Sequence, residues 1–256
     1  MAKWEGRNFR LDGKAVFIAG AGGLGSAIAR GVSEAGGTVL LADLDLAAAE
    51  KVARSIQKKK RPCRACKTDI LDPVQITRAT RFCRQNFGGM DVAINCTGIN
   101  IRKPSLKMTG EDWDRVLEVN LKGAFFFAQC AARTFIQQRR RGKIIALASV
   151  LSFFGMEDRA AYVASKTGLV GLTKALAVEW APYNINVNAV APTFIPTSIN
   201  RETLAGKFKQ RLIDRTPFQR LGKAQDVVGA VIFLASDASN FITGHTIPVD
   251  GGWLSA

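Results

Sequence analysis

Short β-branched runs alternate with amphipathic helical segments along almost the whole chain, and this alternation narrows the folds open to it. Ala15 to Ala19 reads as a buried strand, and Leu24 to Ala35 follows with helical periodicity and stops at Gly36-Gly37. Thr38 to Ala42 and Arg64 to Thr68 read as strands around a helix from Leu46 to Gln57. A helix from Pro73 to Phe87 has Asp72 in the N-cap position. Strands at Asp91–Asn95, Lys143–Ala148, Ile185–Ala191 and Thr246–Val249 then alternate with helices over Glu111–Gln138, Ala160–Ala181 and Ala224–Ala235. Such an order predicts an α/β fold: a doubly wound parallel sheet of about seven strands with helices on both faces. No Pro- or Gly-rich linker divides the pattern, so residues 1–256 are expected to form one domain. The stretch 193–219, with Pro196 and Pro217, breaks the rhythm and reads as an irregular helical insertion of the kind that forms specificity loops.

The composition excludes several classes. No apolar run reaches the 18 or so residues of a membrane span. Met1 to Lys14 is polar and charged and does not read as a secretory leader, so the expectation is a cytoplasmic enzyme. Five scattered cysteines, an odd number, favour reduced thiols over a disulfide framework. Cys63-x-x-Cys66 has the spacing of half a zinc site or of a redox pair. There is no second pair and only one histidine, His245, so no metal is expected. The net charge of +15 is concentrated in Lys58-Lys59-Lys60-Arg61 and in Arg139-Arg140-Arg141-Gly142-Lys143. Both clusters are placed in loops after helices, where cations complement helix C-termini. No aromatic residues interleave with them, so specific nucleic-acid binding is not expected, whereas an anionic substrate or partner is.

Gly20-Ala21-Gly22-Gly23-Leu24-Gly25 lies between the first strand and the first helix, the context in which a Gly-x-Gly-x-x-Gly turn binds a dinucleotide. Glycines permit the tight turn and close backbone approach, and the helix N-terminus attracts a pyrophosphate. The bland alternative is a βα turn that binds nothing. Asp43 ends the second strand 18 residues after Gly25, followed by Leu44. An acid there accepts from ribose hydroxyls and repels a 2′-phosphate, which favours NAD over NADP. Its alternative role is to cap the next helix.

Tyr162 and Lys166 are four residues apart and share one helix face. Lowering a phenol from ~10 to ~7 takes roughly 4 kcal/mol. A fixed ammonium one turn away, with a second cation such as an oxidised nicotinamide, is of the right order to supply it.

With these motifs in order, the chain resembles the short-chain dehydrogenase/reductase family from Leu11-Asp12-Gly13-Lys14 to Val249-Asp250-Gly251-Gly252. The resemblance implies a Rossmann-like fold and a catalytic set of Asn120, Ser149, Tyr162 and Lys166, with Ser149 placed 13 residues before Tyr162. It implies nicotinamide-cofactor contacts from Gly20, Gly22, Gly23, Leu24, Gly25, Asp43, Leu44, Asp69, Ile70, Asn95, Thr97, Gly98, Tyr162, Lys166, Pro192, Ile195 and Thr197. Tyr162 then moves the proton, Lys166 lowers the Tyr162 pKa and binds the nicotinamide ribose, Ser149 orients the substrate oxygen, and Asn120 holds a water. Three departures stand out: a glycine turn one residue short with Ala19 in the place of threonine, Cys96 in the place of asparagine, and Thr193 where glycine usually follows Pro192.

Arg102 and Lys103, just beyond the fourth strand, are candidates for a carboxylate or phosphate; the alternative is a solvated loop. Glu157, Asp158, Arg159, Asn200 and Arg201 add polar character. The segments around Asn100–Pro104 and Phe241–Trp253 are similar to sugar-acid and polyol dehydrogenases of the gluconate and deoxygluconate type. The expected substrate is therefore a small hydroxy or keto compound, a sugar acid or polyol. The alternatives are a 3-oxoacyl-carrier-protein reductase and a non-catalytic NAD- or nucleic-acid-binding protein on the same scaffold. The resemblance also implies a homotetramer, with Phe125-Phe126-Phe127 and Trp180 as contact candidates; core packing is their other reading.

Overall fold

A computed structural model of the chain describes residues 6–197 and 204–256. Seven parallel strands form one sheet: β1 (Ala15–Ala19), β2 (Thr38–Asp43), β3 (Cys63–Lys67), β4 (Val92–Asn95), β5 (Gly142–Leu147), β6 (Ile185–Pro192) and β7 (Thr246–Val249). The order across the sheet is β3-β2-β1-β4-β5-β6-β7. Ile18 sits between Leu41 and Ile94, which fixes the register at the centre.

The helices are α1 (Gly23–Glu34), α2 (Leu46–Gln57), α3 (Pro73–Phe87), α4 (Gly110–Leu117), α5 (Gly123–Gln138), α6 (Ala160–Trp180), α7 (Gly206–Arg215) and α8 (Ala224–Ala235). Strand side chains alternate between faces, and both faces are apolar. Val16, Ile18, Val39, Leu41 and Ile94 pack with Ile28, Val32, Val52 and Val231 on one side. Phe17, Leu40, Ala93 and Ile144 pack with Ile76, Phe127, Phe135 and Trp180 on the other. Such two-sided burial produces the unbroken apolar strand sequences and locks every strand in the middle layer.

Most expected elements stand within a residue or two of their expected ends. Asp72 caps α3, accepting from the backbone N–H groups of Val74 and Gln75 at 2.8 and 3.2 Å. The predicted single helix over 111–138 is interrupted. A π-helical segment, Glu118–Lys122, separates α4 from α5 and contains Asn120. One inserted residue does not disturb a 3.6-residue apolar rhythm enough to be read from sequence. The insertion 193–219 contains α7, as its helical reading anticipated, in its described part. Leu212 and Leu204 there pack on Trp253 with Phe194 and Phe208.

The basic clusters divide. Lys58–Arg61 follows α2, with Lys59 paired to Glu34 at 2.8 Å and the Arg61 guanidinium donating to the Ser33 carbonyl. Arg139 ends α5 in a left-handed conformation. Lys143, counted with the loop cluster but also as the first residue of an expected strand, lies inside β5; it is 4% exposed and donates to Ser239 Oγ at 2.8 Å. Cys63 and Cys66 both lie on β3, and burial pushes the Cys63 thiol up to about 11. No described helix is long and apolar enough to cross a membrane.

Candidate active site

The chain moves outward in opposite directions from β1 and β4, so the crevice beyond their carboxyl ends is the topological switch point where doubly wound sheets bind ligands. A cavity of about 710 Å³ opens there, lined by Leu24 of α1, the loop after β4, the end of β5 and the residues that follow it, the start of α6, and the segment that leaves β6 at Pro192.

Ser149 follows β5 in extended conformation and accepts from the Leu151 N–H at 3.1 Å, which fixes its hydroxyl at the cavity wall. Tyr162 and Lys166 lie one turn apart on α6, as their spacing predicts, and both line the cavity with Ser149. Lys166 is 3% exposed and donates to the Leu147 carbonyl at 2.6 Å. Its Nζ stands 5.8 Å from the centre of the Tyr162 ring. Burial brings the Lys166 ammonium down to about 8, with Cys96 pulling the other way.

Burial raises the Tyr162 phenol above its ordinary value, opposed by a hydrogen bond with Ser149 and by the charge of Arg159. This differs from the expectation that Lys166 would pull the phenol down. In this state the cation acting on Tyr162 is Arg159, while Lys166 is tied to a carbonyl. Arg159 had been singled out only for polarity. Its position one turn before Tyr162 was the available signal, and its burial was not readable from sequence.

Asn120 joins the site through its side-chain amide. Its Oδ1 accepts from the Ile99 N–H at 2.8 Å, and its Nδ2 donates to the Ile99 carbonyl at 2.9 Å and to Ser165 Oγ at 3.0 Å. Ser165 Oγ in turn donates to the Tyr162 carbonyl at 2.8 Å. Asn120 therefore links the loop after β4 to the helix that carries Tyr162 and Lys166. Gly98 leaves the space this needs: a Cβ there would stand 3.3 Å from both Asn120 Oδ1 and Lys166 Nζ.

The glycine turn has the shape of a dinucleotide cradle. A Cβ on Gly25 would lie 1.9 Å from the Gly20 carbonyl oxygen, and one on Gly23 would meet the Thr197 side chain at 2.5 Å. The N-terminus of α1 begins at Gly22 with no side-chain cap and no acid in its first turn. Its open N–H groups and positive dipole end suit an anionic pyrophosphate. Leu24, Thr97, Gly98, Pro192, Ile195 and Thr197 share the cavity wall with Ser149, Tyr162 and Lys166. Asn95 braces this wall, accepting from the N–H and hydroxyl of Thr97 at 2.9 and 2.6 Å.

Asp43 stands at the end of β2, its Oδ2 accepting from the Ala21 N–H at 2.6 Å and its Oδ1 from the Asp45 N–H at 2.9 Å. The carboxylate thus braces the glycine turn, and it is Asp45 that caps α2. Leu44 beside it is exposed. Asp69 follows β3 and accepts from the Leu71 N–H at 2.8 Å, with Ile70 buried next to it. Thr193 carries a buried hydroxyl with no partner among the described residues. Lys103 is engaged with Asp112, so of the two proposed basic contacts only Arg102 lines the cavity. Glu157 and Asp158 are exposed, and Asn200 and Arg201 lie outside the described residues.

A switch-point dinucleotide cradle beside a Ser-Tyr-Lys group defines a nicotinamide-dependent oxidoreductase architecture. Residues 18–254 match a family model described as Enoyl-(Acyl carrier protein) reductase. The chain is 36% identical over 249 residues to a 2-dehydro-3-deoxy-D-gluconate 5-dehydrogenase of Dickeya dadantii, covering 96% of this chain and 98% of that one. It is 38% identical over 247 residues to a 3-oxoacyl-acyl-carrier-protein reductase of Thermotoga maritima, covering 95% and 98%. The crystal structure of a gluconate 5-dehydrogenase from Burkholderia cenocepacia, in complex with NADP and tartrate, superposes with a TM-score of 0.93 at 36% identity, covering 98% of each chain. The chain belongs to the short-chain dehydrogenase/reductase family, and it is an oxidoreductase that uses a nicotinamide cofactor.

Proposed function

We propose that this enzyme moves a hydride between NAD and a secondary alcohol or ketone on a sugar acid or polyol, acting as a cytoplasmic homotetramer. The observation that carries the reading is the convergence of Ser149, Tyr162 and Lys166 on one cavity that Leu24 of the glycine turn also lines. When bound, the nicotinamide supplies the hydride chemistry; the protein supplies position and proton transfer. Tyr162 Oη takes the hydroxyl proton on oxidation and returns one on reduction. The Ser149 hydroxyl orients the substrate oxygen. Lys166 holds the nicotinamide ribose, and Asn120 keeps the loop after β4 in register with α6.

The preference for NAD rests on the Asp43 carboxylate, whose charge at the tip of β2 opposes a 2′-phosphate. The named structural relative contains NADP, which does not favour that choice. The tetramer is supported by an apolar groove between α4, α5 and α6, with Leu117, Leu121, Phe125 and Leu172 on its walls. Phe127 and Trp180 belong to the core instead.

An acyl-carrier reductase is the second reading, favoured by the Thermotoga maritima relative and the net charge of +15. A panel of sugar acids, polyols and acyl thioesters, each assayed with NAD and NADP, separates the two. The proposed reading predicts turnover of hydroxylated substrates with NAD. Strong NADP preference would overturn the Asp43 argument, and turnover confined to acyl thioesters would replace the substrate class.

A further inference from the structure

Arg159 is 6% exposed, yet among the described residues the one hydrogen bond it donates runs from Nη1 to the Glu157 carbonyl at 2.7 Å. Phe208 from α7 covers its guanidinium at 5.7 Å from the ring centre. It makes no ion pair with a carboxylate among the described residues. Arg159 is the N-cap residue of α6, where the helix dipole disfavours a cation, and its side chain caps nothing there. Its charged neighbours are Arg102, a like charge, and the exposed Asp158 and Glu157, whose carboxylates act on it at a distance without forming an ion pair. Among the described residues the cavity wall holds Arg102, Arg159 and Lys166 and no acid. A buried, unpaired guanidinium is costly, and an anion that completes its fork offsets that cost.

We infer that Arg159 anchors a carboxylate of the substrate beside Tyr162, so that the enzyme selects hydroxy acids over neutral polyols and over acyl thioesters. The inference rests on the dehydrogenase reading and deepens it. The acyl group of a 3-oxoacyl thioester carries no carboxylate, whereas an aldonate does. The planar guanidinium suits two parallel hydrogen bonds to one carboxylate, a pairing a lysine does not reproduce.

The test compares matched pairs that differ in charge: D-gluconate with D-glucitol, and tartrate with threitol. Each is titrated calorimetrically into the enzyme saturated with NADH, for the wild type, Arg159→Gln and Arg159→Lys. NADH affinity, read by fluorescence, controls for folding. The wild type is expected to bind at least one acid more tightly than its alditol. Arg159→Gln should weaken that acid roughly 10- to 100-fold, and Arg159→Lys should restore part of the loss. In steady state, the ratio of kcat/KM for acid over alditol should fall by the same factor, chiefly through KM. No preference for any acid in the wild type, or equal weakening of acid and alditol in Arg159→Gln, overturns the anchor. Loss of the dehydrogenase reading is a separate result: the titrations would still show the carboxylate preference while no substrate reduced the cofactor.

Discussion

At Tyr162 a phenol must be shielded from water and still exchange a proton. Burial raises it, while Ser149 and Arg159 pull it back. The other titratable neighbours are Lys166 on the same helix face, held at about 8, and Cys96 beyond β4, pushed up to about 12. Oxidation needs the phenolate, so its rate is expected to climb from neutral into alkaline pH while reduction slows. A pH profile of kcat/KM in both directions checks this, and oxidation that falls with rising pH would contradict it. The group Ser149, Tyr162 and Lys166 was legible because its spacings are fixed by one strand end and one helix. Arg159 was not legible as a candidate anchor: an arginine one turn before a tyrosine is common, and what distinguishes this one is burial without an ion pair among the described residues. Lys166 stands where its helical spacing from Tyr162 puts it, but its electrostatics were not legible, since its bond to the Leu147 carbonyl depends on the strand packed behind it.

At the scale of elements, β5 shows how far a local pattern can mislead. Lys143 belongs to a run of cations and looks solvated, yet the strand carries it into the interior beside Ser239. Burial lowers its pKa from 10.5 to about 8. Below about 8 the ammonium is charged in both folded and unfolded chains, and its burial penalty is present in full. Between about 8 and 10.5 the unfolded chain keeps the proton and the folded one has lost it, so stability from this group rises with pH. Lys143→Met should therefore stabilise the protein near neutrality by roughly a few kcal/mol, with the gain shrinking across that window. Urea unfolding of both proteins at neutral and alkaline pH, at one protein concentration, checks this; a gain independent of pH would contradict it. The π-helical segment at Asn120 belongs to the same scale. Asparagine was identifiable as a site residue, but the break in the helix arises from ties to Ile99 and Ser165, which no periodicity encodes.

For the whole molecule, the alternation of strands and helices carried most of the fold, because the central strands are apolar on both faces and the helices bury apolar residues against them. The strand order then brings Leu24 of the glycine turn and the α6 residues Tyr162 and Lys166 to one cavity. The substrate was less legible, since the side chains proposed to read it come from separate segments: Arg102 after β4 and Arg159 before α6, the latter covered by Phe208 of α7. The central claim is that this cavity performs hydride transfer with Tyr162 as the proton carrier. Tyr162→Phe tests it most directly, because it removes one oxygen and leaves the packing. The account predicts that the variant binds NADH as the wild type does, by fluorescence titration, and loses nearly all turnover in a steady-state NADH assay. Turnover retained in Tyr162→Phe would contradict it.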